Sequence, residues 1–376
     1  MKVDRTKFSG GEYLLEDVLE TDLVAWVTGN PGVSKTMVML DIAAGSTLGL
    51  MPGDITDPIN VLYISIENRF NRSVGPRFDA AQGDWSRFHH HNEVVFLPSE
   101  IGKLRRLIRK HKARLCIIDP IKDHFDHGVY SSATKASQFL AKLDTLAEQT
   151  ECAIVCVDWP SKSSRKGDLS NSGPQSFTGK PRQIIQVGRL SLDEWVIGTS
   201  KVSEGSPYKG WIYTMEPYDL GLIDAKTGRP IVPRRIKWKH PAKPADVLRA
   251  REQINVEEDP NLVELLEFMA PDGDGSAVDF ETKDLVTWMK HVLMIGEKKA
   301  TSLLKACRAA GYLDQTAGRT DAKTFNVTWK ISDLGVLKLA ADDESVEAVM
   351  EKKFPSRDRK PLPQQPALPP GQPEGA

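Results

Sequence analysis

The chain has little cysteine: four in 376 residues, Cys116, Cys152, Cys156 and Cys307, with no C-x-x-C pair. All four fall in apolar segments, which argues for buried thiols and against a disulfide framework or a zinc site. Long apolar runs are missing too, and no segment approaches the length that spans a bilayer. Charge of one sign is absent as well, with a net −1 from 50 basic and 51 acidic residues. Any surface for a polyanion must therefore be local. The polar start, Met1-Lys-Val-Asp-Arg-Thr-Lys7, leads into no apolar h-region, so no secretory signal is expected. These absences lead to the expectation of a soluble cytoplasmic protein with no membrane partner.

What is present is a hydrophobic fraction of 40%, enough for a sizeable core, in a length that suits two domains plus linkers. The chain is organised around Leu23 to Thr36. Leu23-Val-Ala-Trp-Val-Thr28 is a short apolar run rich in β-branched and aromatic residues, and reads as a buried strand. It breaks into Gly29-Asn30-Pro31-Gly32-Val33-Ser34-Lys35-Thr36, and Met37 to about Leu48 then reads as a helix. Strand, glycine turn, Lys-Thr and helix make the P-loop arrangement. Backbone N–H groups of residues 29–36 wrap a phosphate and the helix N-terminus adds its positive dipole end. Lys35 reaches the outer phosphates and Thr36 holds Mg²⁺. The pattern asks for glycine where Ser34 stands. The alternative is an ordinary β-turn-α loop that happens to contain Lys-Thr.

The remaining chain repeats the strand and helix theme. Tyr13 to Leu19 is apolar at helical spacing and is expected to pack beside the nucleotide as a lid or edge element. Asn60-Val-Leu-Tyr-Ile-Ser-Ile-Glu67 is an apolar run ending in a carboxylate, placed where a P-loop opens. Its plain alternative is a solvated acid at a strand end. His89, His90 and His91 read as a surface cluster. Ile101 to Lys112 is a basic amphipathic helix, and Ala113 to Ile118 a strand ending in Asp119, the carboxylate that would orient Mg²⁺. An amphipathic helix over 131–150 precedes a third apolar run that ends in Asp158. Residues 159–180 form a long polar loop. Strands are then expected near 182–187, 194–201 and 210–215, the last ones as an antiparallel edge. The expected class is α/β, a mostly parallel sheet covered on both faces.

Composition shifts at about Lys226. Nine Lys or Arg against the single acid Asp246 fill residues 226–251, interrupted by four prolines, and suggest an extended basic linker over 226–258. Residues 259–333 then read as three helices and a hairpin turning at Gly318-Arg319, an order that resembles a winged helix. The third helix carries Lys298, Lys299, Lys305 and Arg308 on its polar face, a candidate contact for duplex DNA. A protein-contact module of three helices is the alternative. Residues 334–376 are expected as a helical extension and a disordered Pro/Gln-rich tail.

Over roughly residues 10–220 these motifs resemble the RecA-like, RepA-type AAA ATPases, hexameric replicative helicases of plasmids and phages. The resemblance rests on the P-loop at 29–36, Val61 to Phe70, Leu115 to Phe125, Cys152 to Lys162 and Ile197 to Gly205, together with Ser172, Gly173 and Arg182. It implies a RecA-like core of residues 23–225 behind an N-terminal arm of residues 1–22. It also implies ATP hydrolysis with Mg²⁺ at the interfaces of a homo-oligomer, a hexamer in this family. Glu67 would activate the attacking water, and Lys201 would reach a neighbour's phosphates. Lys162, Arg165, Lys166, Lys180 and Arg182 would track single-stranded DNA in a central channel. Three departures stand out: Ser34 for glycine, Asp158 where the family usually has histidine, and Ser203 where it often has Asn. They leave open a nucleotide-switched DNA-binding protein, such as a helicase loader or recombination mediator.

Overall fold

The computed structural model describes residues 11–30, 32–66, 70–129, 131–158, 181–191, 193–202, 205–257, 259, 261–270, 279–319 and 325–340. The expected helix near the start is instead a hairpin, β1 (Tyr13–Leu15) with β2 (Leu19–Glu20), turning at Asp17 with φ 62°. Leu14, Leu15, Val18 and Leu19 are all buried. Two short strands around a turn can bury the same i, i+4 apolar set that a helix would, which is why the spacing misled. Tyr13 O accepts from Asp54 N at 2.8 Å, tying the hairpin to the loop after the first helix.

The central strand is β3 (Val24–Thr28), buried on both faces as its continuous apolar run requires. After it come α1 (Lys35–Leu48), β4 (Asn60–Ile64), α2 (Gly75–Ala80), β5 (Phe88–His91), α3 (Ile101–His111), β6 (Ala113–Ile118), α4 (Ala133–Thr150) and β7 (Ala153–Val157). The second half of the sheet is β8 (Gln183–Arg189), β9 (Trp195–Lys201), β10 (Gly210–Pro217) and β11 (Arg234–Pro241). The nine strands run in the order β11-β10-β9-β8-β3-β7-β6-β4-β5. Strands β8 to β5 in that order are parallel, and β9, β10 and β11 add an antiparallel edge.

Both faces are covered. On one, Val38, Leu40 and Ile42 of α1 pack with Val61, Tyr63, Ile117 and Val155 of the sheet. On the other, Leu104 and Ile108 of α3 and Phe139, Leu143 and Leu146 of α4 pack with Trp26, Leu62, Cys116 and Ile154. Ser132 caps α4 by accepting from Lys135 N at 3.3 Å. The histidines expected on the surface lie on the edge strand β5. There the His90 ring stacks on Phe70 at 4.9 Å and His89 on His111 at 4.2 Å. The four cysteines are free and buried.

Much of the expected extended linker is regular structure. Residues 234–241 are β11, where Ile236 is buried and Trp238 Nε1 donates to Asp41 Oδ2 of α1 at 2.8 Å. Residues 244–257 form α5 (Pro244–Glu257), with Pro244 at its first position, where a missing N–H is harmless. Prolines and lysines hid an alternation that buries Ile236 and a helical stripe of Val247 and Ala250 against Val196 of β9.

Helix α5 also carries the C-terminal module. Gln253, 2% exposed, accepts from Arg189 N at 3.2 Å and donates to Arg189 O at 2.6 Å and Ala310 O at 3.2 Å. The module runs α6 (Leu262–Phe268), β12 (Phe280–Glu281), α7 (Thr282–His291), α8 (Glu297–Ala310), β13 (Leu313–Arg319), β14 (Phe325–Ile331) and α9 (Asp333–Ala340). Its three strands pair antiparallel in the order β12-β14-β13. Leu265, Leu285, Leu304, Cys307 and Trp329 form its own core. Gly318 and Arg319, expected at the hairpin turn, belong to strand β13.

Candidate functional site

The site is built at one edge of the sheet, where β3, β4, β6 and β7 all end. Register fixes this: Val27 pairs with Val157, Ile64 with Ile118, and Ile118 with Cys156. Each strand therefore delivers its following residues to the same side, the usual place for ligands in open α/β sheets.

The loop from Gly29 to Ser34 leaves β3 there and enters α1. Gly29 has no room for a side chain, because a Cβ would lie 2.3 Å from Val187 O of β8. Gly32 has φ 82°, and Ser34, directly ahead of the helix, has φ 73° and ψ 25°. A serine thus occupies the left-handed conformation that glycine adopts without strain. Lys35 is 3% exposed, and its ammonium donates to Gly29 O at 2.5 Å and Asn30 O at 3.0 Å. The lysine therefore lies across the loop that it is expected to serve. Asn30 is buried as well, and Pro31 lies outside the described residues.

Below the loop, Thr36 in the first turn of α1 donates from Oγ1 to Asp119 Oδ2 at 2.6 Å. Asp119 follows β6, is fully buried, and its N–H donates to Ile64 O at 3.0 Å. A hydroxyl and a carboxylate held together beneath a glycine loop are the oxygen donors that Mg²⁺ takes while keeping several of its waters. The residues present fit that ion. A third group, Tyr63 of β4, donates from its hydroxyl to the same Oδ2 at 2.9 Å. Burial and the Asp119 charge push the Tyr63 phenol far above its ordinary range, so it stays a donor.

No sequence motif marks Tyr63, although strand alternation in β4 puts it on the face that packs against α1. Asp158, at the end of β7, accepts from Trp26 Nε1 at 3.3 Å and donates its N–H to Val27 O at 2.8 Å. This carboxylate is thus linked to the strand that feeds the P-loop.

The other sequence candidates are spread out. Glu67 lies outside the described residues, two positions after the buried Ser65. Lys162, Arg165, Lys166, Lys180 and Ser203 also lie outside them. Arg182 is exposed at the start of β8, on the sheet edge opposite the P-loop, and helps to lower the carboxyl of Asp144, which burial raises. Lys201 ends β9, opposite Ile184, and its strand runs away from the P-loop edge. Lys298, Lys299, Lys305 and Arg308 are all exposed on α8, and Arg308 donates to Gln315 of β13.

A mostly parallel sheet with a glycine loop, a buried lysine and a Thr-Asp pair at one edge has the build of a P-loop nucleoside triphosphatase core. Residues 4–165 match the model of the AAA domain family, AAA-type ATPases of the P-loop class. That stretch contains the P-loop, Glu67, Asp119 and Asp158. No curated protein matches the chain. Among the described residues no helix is long and apolar enough to cross a membrane.

Ser34 carries the first expected outcome. Its strained φ costs on the order of 1–2 kcal/mol, while a hydrogen bond from its hydroxyl to a phosphate oxygen returns about 1 kcal/mol or more. The two nearly offset, so Ser34→Gly should raise ATP affinity or turnover by less than about tenfold. Side-by-side binding and turnover assays check this. An inert wild type beside a vigorous Ser34→Gly would mark the native protein as a degenerate ATPase.

Proposed function

We propose that this chain is a RepA-type helicase or translocase that hydrolyses ATP, assembles into a ring and moves on single-stranded DNA. The observation that carries the reading is the Thr36–Asp119 pair set directly beneath the lysine-bearing P-loop. Mg²⁺, bound there, neutralises phosphate charge. Lys35 binds the outer phosphates, Thr36 and Asp119 hold the metal, and Glu67 takes the proton of the attacking water.

A ring is supported by Lys201, whose strand ends away from the P-loop of its own subunit. A cation there is better placed to serve a neighbouring copy. Single-stranded DNA is supported by the basic residues at 162–180, which enter the chain directly after β7 and Asp158. Reading the C-terminal module as a winged helix is supported by its helix–strand–helix–helix–hairpin order. The exposed Lys298, Lys299, Lys305 and Arg308 suit a duplex backbone.

A second reading, an ATP-switched DNA-binding protein with little turnover, is favoured by the strained Ser34 and by the bond between Asp158 and Trp26. Lys201→Ala separates the two. On the ring reading it keeps ATP binding and loses turnover by about 100-fold or more, the usual scale for a trans-acting cation being larger still. Mixing Lys201→Ala with Lys35→Ala subunits should restore part of the activity, and mass in solution with an ATP analogue should exceed that of a monomer. A monomeric protein whose turnover ignores Lys201→Ala would leave the switch reading.

A further inference from the structure

We propose that Tyr63 is the positioning residue for the metal-binding carboxylate, fixing Asp119 so that Thr36 and Asp119 meet the metal in one geometry. The proposal rests on the ATPase reading of the same site. Two hydroxyls converge on one oxygen: Tyr63 at 2.9 Å and Thr36 at 2.6 Å, both to Asp119 Oδ2. Thr36 is the side chain that the metal also engages, so its bond to the carboxylate has to adjust when the ion arrives. The Tyr63 bond has no such second duty.

The phenol ring is packed against the neighbouring edge strand β5. Tyr63 is fully buried, with the Phe88 ring stacked at 5.8 Å and the His90 ring tilted at 6.2 Å between centroids. Phe88 in turn packs on Phe78 at 4.1 Å. A ring wedged in this way places its hydroxyl with little freedom, and so does β4, which pairs Tyr63 with Ile117 just ahead of Asp119. Asp119 lies one residue past the end of its strand with its N–H still donating to Ile64 O at 3.0 Å, so the backbone is placed and the rotation of the carboxylate is what remains to be fixed. A rigid donor from the neighbouring strand supplies the missing constraint. It also partners a carboxylate that is 0% exposed and would otherwise rely on fewer donors.

The test uses the full chain and Tyr63→Phe, which keeps the packed ring and removes only the hydroxyl. Binding of a fluorescent ATP analogue is titrated first in EDTA, then against rising Mg²⁺, with thermal melting recorded alongside. The expected result is an Mg²⁺ midpoint raised about tenfold, the loss of one hydrogen bond to a charged group. Metal-free affinity should stay unchanged, and the melting temperature should fall modestly, because a buried carboxylate loses one of its donors. At saturating Mg²⁺, kcat should fall while KM for ATP holds. An unchanged Mg²⁺ midpoint in Tyr63→Phe, beside a wild type that binds nucleotide and responds to the metal, overturns the role of Tyr63 alone. An equal loss of metal-free affinity also overturns it, because Tyr63 would then be a packing residue. A wild type that binds no nucleotide overturns the ATPase reading, and this proposal with it.

Discussion

Lys35→Ala should abolish ATP binding. The ammonium is buried and rests on the carbonyls of Gly29 and Asn30, at the mouth of the loop that would wrap the phosphates. Removing one partner of a desolvated charge pair costs about 3–5 kcal/mol, which is a fall in affinity of about 100-fold or more. The fold should survive, since the change removes a buried charge and leaves α1 with its apolar contacts to the sheet. Isothermal titration with ATP and Mg²⁺, beside a melting curve, measures both quantities. Nucleotide binding at wild-type strength would remove Lys35 from the site.

Glu67→Gln should give the opposite division, with binding retained and turnover lost. Glu67 follows β4 in sequence, whose end lies beside the end of β6 and Asp119. An amide occupies the volume of the carboxylate and does not take a proton from water. General-base catalysis contributes about 100- to 10,000-fold, so kcat should fall by at least the lower figure while ATP affinity changes little. Single-turnover hydrolysis and equilibrium binding, run on the same preparation, separate the two effects. An active Glu67→Gln enzyme would place the base elsewhere.

How much of this was legible beforehand follows from the kind of signal each part carries. Strands β3, β4, β6 and β7 are buried on both faces, so they appear in the sequence as continuous apolar runs with a glycine or carboxylate at their ends. The P-loop, Thr36 and Asp119 are legible as candidates for that reason, and the positive φ at Ser34 follows from the glycine it replaces. The hairpin at 13–20 was hidden because four buried residues around a turn mimic a helical period. Strand β11 and helix α5 were hidden by lysines and prolines that sit on exposed positions or at element starts.

The site's remaining parts are tertiary facts. Tyr63 reaches Asp119 across a strand pair, and Trp26 reaches Asp158 across another. No spacing in the sequence encodes either contact. The opposite-edge positions of Arg182 and Lys201 depend on β8 running parallel to β3 and β9 antiparallel to β8, a matter of strand order. The Gln253 clamp between β8 and the end of α8 is of the same kind.

On the proposed function, the P-loop edge of this sheet hydrolyses ATP and single-stranded DNA stimulates it. Steady-state phosphate release by the purified full chain, with Mg²⁺, with and without a single-stranded oligonucleotide, tests it most directly. The expected result is measurable turnover that needs Mg²⁺, rises with the oligonucleotide, and disappears in Glu67→Gln. Tight ATP binding with no turnover under either condition would contradict it.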